Sequence, residues 1–361
     1  MRPLCLFAAA ILLTGCDFDI DDFGPSDRFQ TDFHYTYDLQ PGGRLSLETG
    51  NGSVEVSGWD QNKVEINGTK YGSTEAIRDE IRIDIDRRPD AVTIRTIRPS
   101  IHNGGGGARY VIHVPRKTTL DPITTSNGRI RVDDMASPVR LRTSNGSVRA
   151  GHVEGNFEAR TSNGSIEVES VKGDAILHTS NGSIRAEGIS GRCEAGSSNG
   201  RVRLTLTEAN TSPVRVETSN GSVDLTMLKA PKSDVRAETS NGSITLRMPE
   251  NTAAHVTAEA RRNDISSDFD IASKFSNSRD RRLDGNIGGG GPVIDLSSHG
   301  GSIRILKGSG IQPPAPDVCA RPGLSHYVQH GAIGTNLERP RRVFVLPKFN
   351  LLVVSGLVSA E

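Results

Sequence analysis

Apolar residues in the middle of this chain fall in columns rather than in runs. Two places after a recurring glycine stand Ile130, Val148, Ile166, Ile184, Val202, Val223 and Ile244. Four places after it stand Val132, Ala150, Val168, Ala186, Leu204, Leu225 and Leu246. Met135, Val153, Val171 and Ile189 follow at the seventh place. A second set comprises Val139/Leu141, Phe157/Ala159, Ala175/Leu177 and Cys193/Ala195. The places between are mostly polar, as at Arg149, Glu167 and Arg185, or Arg140, Glu158 and Glu194. Alternation with period two is the signature of a strand with one buried face. Each unit therefore holds two short strands joined by turns, and none has room for a helix.

The turns carry the tetrapeptide Thr/Ser-Ser-Asn-Gly. It occurs seven times, centred on Asn127, Asn145, Asn163, Asn181, Asn199, Asn220 and Asn241, at intervals of 18, 18, 18, 18, 21 and 21 residues. A short fixed period means one structural unit stacked on the next. The fold class that satisfies it is an all-β solenoid, whose coils stack at about 4.8 Å with each strand paired to its equivalent one turn later. Asn-Gly suits a tight turn because both residues tolerate positive φ. The asparagine side chains are expected to form a structural ladder along one corner, and the threonines another. Arg149, Glu167 and Arg185 read as cross-coil charge pairs on a solvated face.

Outside this regular run the pattern loosens. Thr49-Gly50-Asn51-Gly52-Ser53-Val54 fits the repeat, and the period then breaks until Asn127. Lys63–Ile66, Ile81–Ile85, Ala91–Ile94 and Tyr110–Pro115 alternate over longer stretches and predict irregular, wider strands continuous with the stack. Arg262-Asn263-Asp264-Ile265 and Gly300-Gly301-Ser302-Ile303 continue the register with insertions. The solenoid domain is placed at 32–307. Atypical terminal units are expected, since an open coil end has to be capped. Aromatic residues make up 4% of the 361, and glycine is abundant, as a thin core requires.

The first residues carry an address. Arg2 followed by Leu4 to Leu13 is a charged start and an apolar stretch too short to span a bilayer, which reads as a signal peptide over 1–15. Leu13-Thr14-Gly15-Cys16 resembles the bacterial lipobox, which implies cleavage before Cys16 and acylation of it. Several acyl chains on one cysteine anchor stably where one alone is marginal. The partner through Cys16 is then a membrane, on its extracytoplasmic side, and Asp17 tilts the expectation toward the inner membrane. Residues 16–31 read as an acidic tether, and 308–361, opened by Pro313-Pro314-Ala315-Pro316, as an irregular, poorly ordered tail.

Chemistry is sparse. The nine histidines show no metal-type spacing with cysteine or one another, and no nucleophile elbow or phosphate loop occurs. Cys193 sits in an apolar column as a small hydrophobe. Glu167 and Glu169 read as surface charge, although such carboxylates could face a saccharide. No cofactor, metal or catalytic residue is assigned. The 43 basic and 43 acidic residues balance, so nothing points to nucleic acid.

Gly-Ser-Val-Glu-Val-Ser-Gly-Trp-Asp at 52–60, Tyr-Val-Ile-His-Val-Pro at 110–115, serial Thr-Ser-Asn-Gly-Ser-Ile/Val and Ile-Ser-Ser-Asp-Phe at 265–269 occur in that order. In this the chain resembles the bacterial putative-adhesin domain of unknown function, the Toastrack family. The departure is Asn263-Asp264, where the family tends to Asn-Gly. The resemblance implies a non-enzymatic, adhesin-like or scaffold module of the cell envelope, with some relatives resembling parts of envelope-stress systems, and it supplies no catalytic residues. The protein or glycan partner stays unnamed. A polysaccharide-binding or polysaccharide-active β-helix is the alternative. Replacing the lipidated cysteine, Cys16→Ser, is expected to move the protein from the membrane to the soluble fraction; retention in the membrane pellet would refute the anchor.

Overall fold

The computed structural model describes residues 28–98, 105–261, 263–273 and 280–308. The signal peptide, Cys16, most of the tether and all but residue 308 of the tail lie outside the described residues. The first strand, Phe29–Asp38, takes in residues 29–31, which the sequence pattern assigns to the tether.

Two long sheets face each other, one of 13 strands and one of 14. Each regular coil gives one strand to each sheet and pairs in parallel with the coils on either side. Val148, Arg149 and Ala150 lie beside Ile166, Glu167 and Val168, and those lie beside Ile184, Arg185 and Ala186. In the other sheet Phe157 and Ala159 lie beside Ala175 and Leu177. All the apolar columns point between the sheets, where they are buried in one continuous core. Cys193 is among them, and burial pushes its thiol up to about 12.

The step from the fourth to the seventh place breaks strict alternation, and the backbone shows how. Asp134, His152, Ser170 and Gly188 adopt left-handed φ values of 60°, 53°, 60° and 67°. This one residue per coil turns the chain so that Met135, Val153, Val171 and Ile189 still face inward. The 21-residue units do without it: Leu206 and Met227 keep the period of two and are buried.

Two expectations need correction. The turn glycines from 128 to 242 are not left-handed: among the described glycines only 42, 52, 188, 288 and 290 have positive φ. Glycine is required at 128, 146, 164, 182, 200, 221 and 242 because coils touch there. A Cβ at Gly164 would lie 1.9 Å from the Gly146 carbonyl oxygen, and one at Gly200 1.7 Å from that of Gly182. The threonines do not occupy another corner; they line the inner side of the asparagine corner. Outside the repeats, Glu75–Glu80 is a short helix, capped by Thr74, whose side chain accepts from the Ile77 N–H. With no buried residue it lacks the apolar face that periodicity detects.

Chain order and stacking order part company at both ends. Arg44–Asn51 and Val54–Trp59 form a coil lying directly on the coil of Thr119–Asn127 and Ile130–Met135. The intervening Ala91–Ile97 and Gly106–Pro115 form the coil on its far side. At the other end Val293–Ser298 and Ile303–Lys307 slot between the coil of Val235–Thr239 and Ile244–Met248 and the coil of Ala254–Arg261 and Ile265–Ser267. Antiparallel strands then close each end: Lys63–Gly72, Phe29–Asp38 and Arg82–Arg88 at one, Asp280–Ile287 and Ala272–Ser273 at the other.

Ile166→Asp places an unpaired charge in this thin core and is expected to lower unfolding stability by several kcal/mol. Ser165→Ala, on the solvated side, should change it by less than about 0.5 kcal/mol. Equal losses in urea unfolding would contradict the assigned faces.

Candidate functional site

The repeated tetrapeptide builds a corner with an inner and an outer row. Its first residue is buried. The Thr161 and Thr179 hydroxyls each donate to a glycine carbonyl of the preceding coil, those of Gly146 and Gly164, both at 2.9 Å. Ser197 does the same toward Gly182 at 2.9 Å, as does Thr239 toward Gly221. These hydroxyls satisfy carbonyls that stacked glycines would otherwise leave unpaired in the core wall.

The asparagines form the outer row, and the expected ladder is present. Asn127 Nδ2 donates to Asn51 Oδ1 at 2.8 Å, Asn145 to Asn127 at 2.7 Å, Asn163 to Asn145 at 2.8 Å and Asn181 to Asn163 at 2.7 Å. Asn199, Asn220 and Asn241 continue it, each at 2.7 Å. At the start, Asn51 donates to the Gly106 carbonyl at 3.1 Å. At the finish Gly300 takes the asparagine position of the next coil, where the row ends. Every amide points the same way, so each bond polarises the next.

Beside the asparagines run Ser126, Ser144, Ser162, Ser180, Ser198, Ser219 and Ser240, all exposed. Their carbonyls hold the corner backbone: the N–H of Asn163 bonds to Ser144 and that of Asn181 to Ser162, both at 2.8 Å. The hydroxyls stay on the surface. An amide that gives one hydrogen and takes one in the ladder retains a second N–H and a second lone pair. The corner is thus an edge with hydroxyl and amide groups at each coil.

On the sheet next to this edge lies a groove of about 320 Å³, lined by His178, Gly196, Glu217, Glu238, Ser297 and His299 with the serines 198, 219 and 240. His178, Gly196, Glu217, Glu238 and Ser297 are register partners in successive coils. Gly196 removes one side chain from the outward column, and the His178 ring leans over the gap; a Cβ at 196 would lie 2.8 Å from it. Glu217 is held by Arg215, and Glu238 by Arg236 at 2.5 Å. That hydrogen bond, with the charge of the same carboxylate, raises the Arg236 guanidinium above its ordinary value. No sequence motif marks the groove. Its only trace in the sequence is a glycine in a polar column.

Elsewhere the surface charges pair locally. Arg149 reaches Glu167 across coils at 2.9 Å, but Arg185 turns to Glu187 in its own strand at 2.8 Å, so the expected relay stops there. Among the described residues no group of three or more His, Cys, Asp or Glu could hold a metal. No described helix is long and apolar enough to cross a membrane.

The family model of Toastrack DUF4097 matches residues 42–306. No curated protein matches the chain. Among solved structures, one from Parabacteroides merdae described as a putative adhesin aligns at 11% identity over 78% of this chain and 98% of that one, with a TM-score of 0.43. Another so described, from Bacteroides fragilis, aligns at 13% identity over 77% and 97%, with a TM-score of 0.40.

Removing a rung from the middle of the ladder breaks two hydrogen bonds, and removing the last asparagine breaks one. Asn163→Ala is expected to cost about 1–2 kcal/mol and Asn241→Ala about half as much, by urea unfolding. A central loss no greater than the terminal one would show that the ladder does not contribute to stability.

Proposed function

Because the chain belongs to the Toastrack DUF4097 family, as an adhesin-like β-solenoid domain, we propose that it is a lipid-anchored cell-envelope module that works by binding, with the serine–asparagine edge as its ligand surface. Acylated Cys16 holds it on the extracytoplasmic side of a membrane, with Asp17 favouring the inner one. It acts as a scaffold or adhesin without catalysis, cofactor or nucleic acid. One observation carries this reading: exposed serines and asparagines repeat at every regular coil on a rigid corner. A ligand meeting a pre-ordered row loses little affinity to ordering the protein, so many weak polar contacts can add.

The groove favours a polyhydroxylated ligand, a glycan laid along the stacking direction. Serines 198, 219 and 240 offer hydroxyls that both donate and accept, Glu217 and Glu238 accept, and His178 and His299 stand at either end. A protein partner would fit the scaffold role, including one in envelope-stress signalling.

The full chain, immobilised and exposed to envelope extract, separates these readings when the bound material is divided into protein and glycan for mass spectrometry. Glycan enrichment supports the adhesin role and a single protein partner the scaffold role. The double variant Ser198→Arg/Ser219→Arg, which fills the groove from exposed positions, is expected to reduce capture at least about tenfold with unchanged unfolding. Undiminished capture would remove the edge as the ligand surface.

A further inference from the structure

At the end of the stack built from the N-terminal strands, one sheet overhangs the other. Beyond the last coil the 13-stranded sheet carries Lys63–Gly72 and then Phe29–Asp38, whereas its partner carries only Arg82–Arg88. Phe29–Asp38 is a ten-residue strand paired on one side only among the described residues. A long one-sided strand is a template for another strand.

Two further observations specify what pairs with it. Phe33, Tyr35 and Tyr37 pack on the core but stay half-buried, as do Ile83 and Ile85 of Arg82–Arg88, whereas the inward residues of the regular coils are sealed. The outer face of the strand carries Asp32, His34 and Asp38, and Arg28 stands immediately before it, all exposed. Antiparallel pairing with a second copy about Phe33 sets Arg28 opposite Asp38 and Asp32 opposite His34, each twice by the two-fold axis. The same register sets Phe29 opposite Tyr37 and Phe33 opposite itself on the apolar face. Other registers lose this match. Centring on Asp32 or His34 opposes each to itself, and centring on Tyr35 opposes Asp32 to Asp38. Centring on Gln30 pairs only Arg28 with Asp32, and centring on Thr36 only His34 with Asp38, over shorter overlaps; the register centred on Phe33 engages all four groups along the whole strand.

We propose that two copies of this chain associate through Phe29–Asp38 in the register centred on Phe33, joining their 13-stranded sheets into one. The side chains involved already stand on the outer face. Asp32 Oδ1 accepts from Thr69 Oγ1 at 2.7 Å, leaving its other oxygen for the partner. His34 Nδ1 lies 2.6 Å from Asn67 Oδ1, and 3.8 Å from Glu65.

Sedimentation equilibrium of the full chain in density-matched detergent tests this. A reversible monomer–dimer equilibrium is expected. Asp38→Arg, which faces Arg28 with a like charge, should raise the dissociation constant at least about tenfold. Combining it with Arg28→Asp should bring the constant back to within about threefold of the original, since the pair is restored with its sign reversed. Arg28→Asp alone should weaken the dimer as Asp38→Arg does, and serves if the latter alters thermal unfolding. A monomer at all concentrations, a dimer indifferent to Asp38→Arg, or a folded double variant that stays weak would each overturn the proposal. So would a monomer whose Phe29–Asp38 amides resist hydrogen exchange, because another segment would then cover the edge.

Discussion

At the asparagine corner, the backbone of one coil rests on the backbone of the coil before it. The glycine there has no room for even a methyl group: a Cβ at Gly182 would sit 1.8 Å from the Gly164 carbonyl oxygen. That contact sets how closely the coils approach, and the other rows conform to it. The threonine hydroxyl satisfies the same glycine carbonyl from within, and the asparagine amide bridges the coils from outside. Because these spacings repeat, the strands on both sheets meet their equivalents in register, and the narrow core closes with Val, Ile, Leu and Ala.

Much of this could be read from the residues. The apolar columns and the interval of 18 gave strand, coil and ladder together, because every coil repeats the same local physics. The reason for the glycine was not legible, since a left-handed turn and a close backbone contact demand the same residue. The left-handed position at Asp134, His152, Ser170 and Gly188 was hidden because four different residue types fill it. The helix at Glu75–Glu80 was too short and too exposed to leave a period. The groove beside the edge depends on Gly196, a single departure in a polar column, which no motif marks.

The surface divides by how it handles polarity. On the broad faces, charges are neutralised close to home, as at Arg149–Glu167, Arg185–Glu187 and Lys172–Glu154. Exposed pairs of this kind add little stability but leave a face without strong net attraction for other molecules. The asparagine edge carries no formal charge and keeps its hydrogen-bonding groups in a fixed order. The N-terminal end differs again, with half-buried aromatic rings and a charge pattern that matches its own reverse. Three surfaces of different chemistry therefore arise from one repeating backbone.

The interleaved ends bear on where in the chain each layer is encoded. Among the described coils, that of Val293–Ser298 and Ile303–Lys307 comes last in the chain, yet it is not the outermost. It lies between coils earlier in the chain, and the strands Ala254–Arg261 and Ile265–Ser267 reach the stack only through it. In the folded stack this coil is therefore an inner layer, like a keystone, and not one more layer on the end. Without those residues the strands of the terminal cap would have no coil of the regular stack to pair with, so the seat of the cap is encoded downstream of the cap itself.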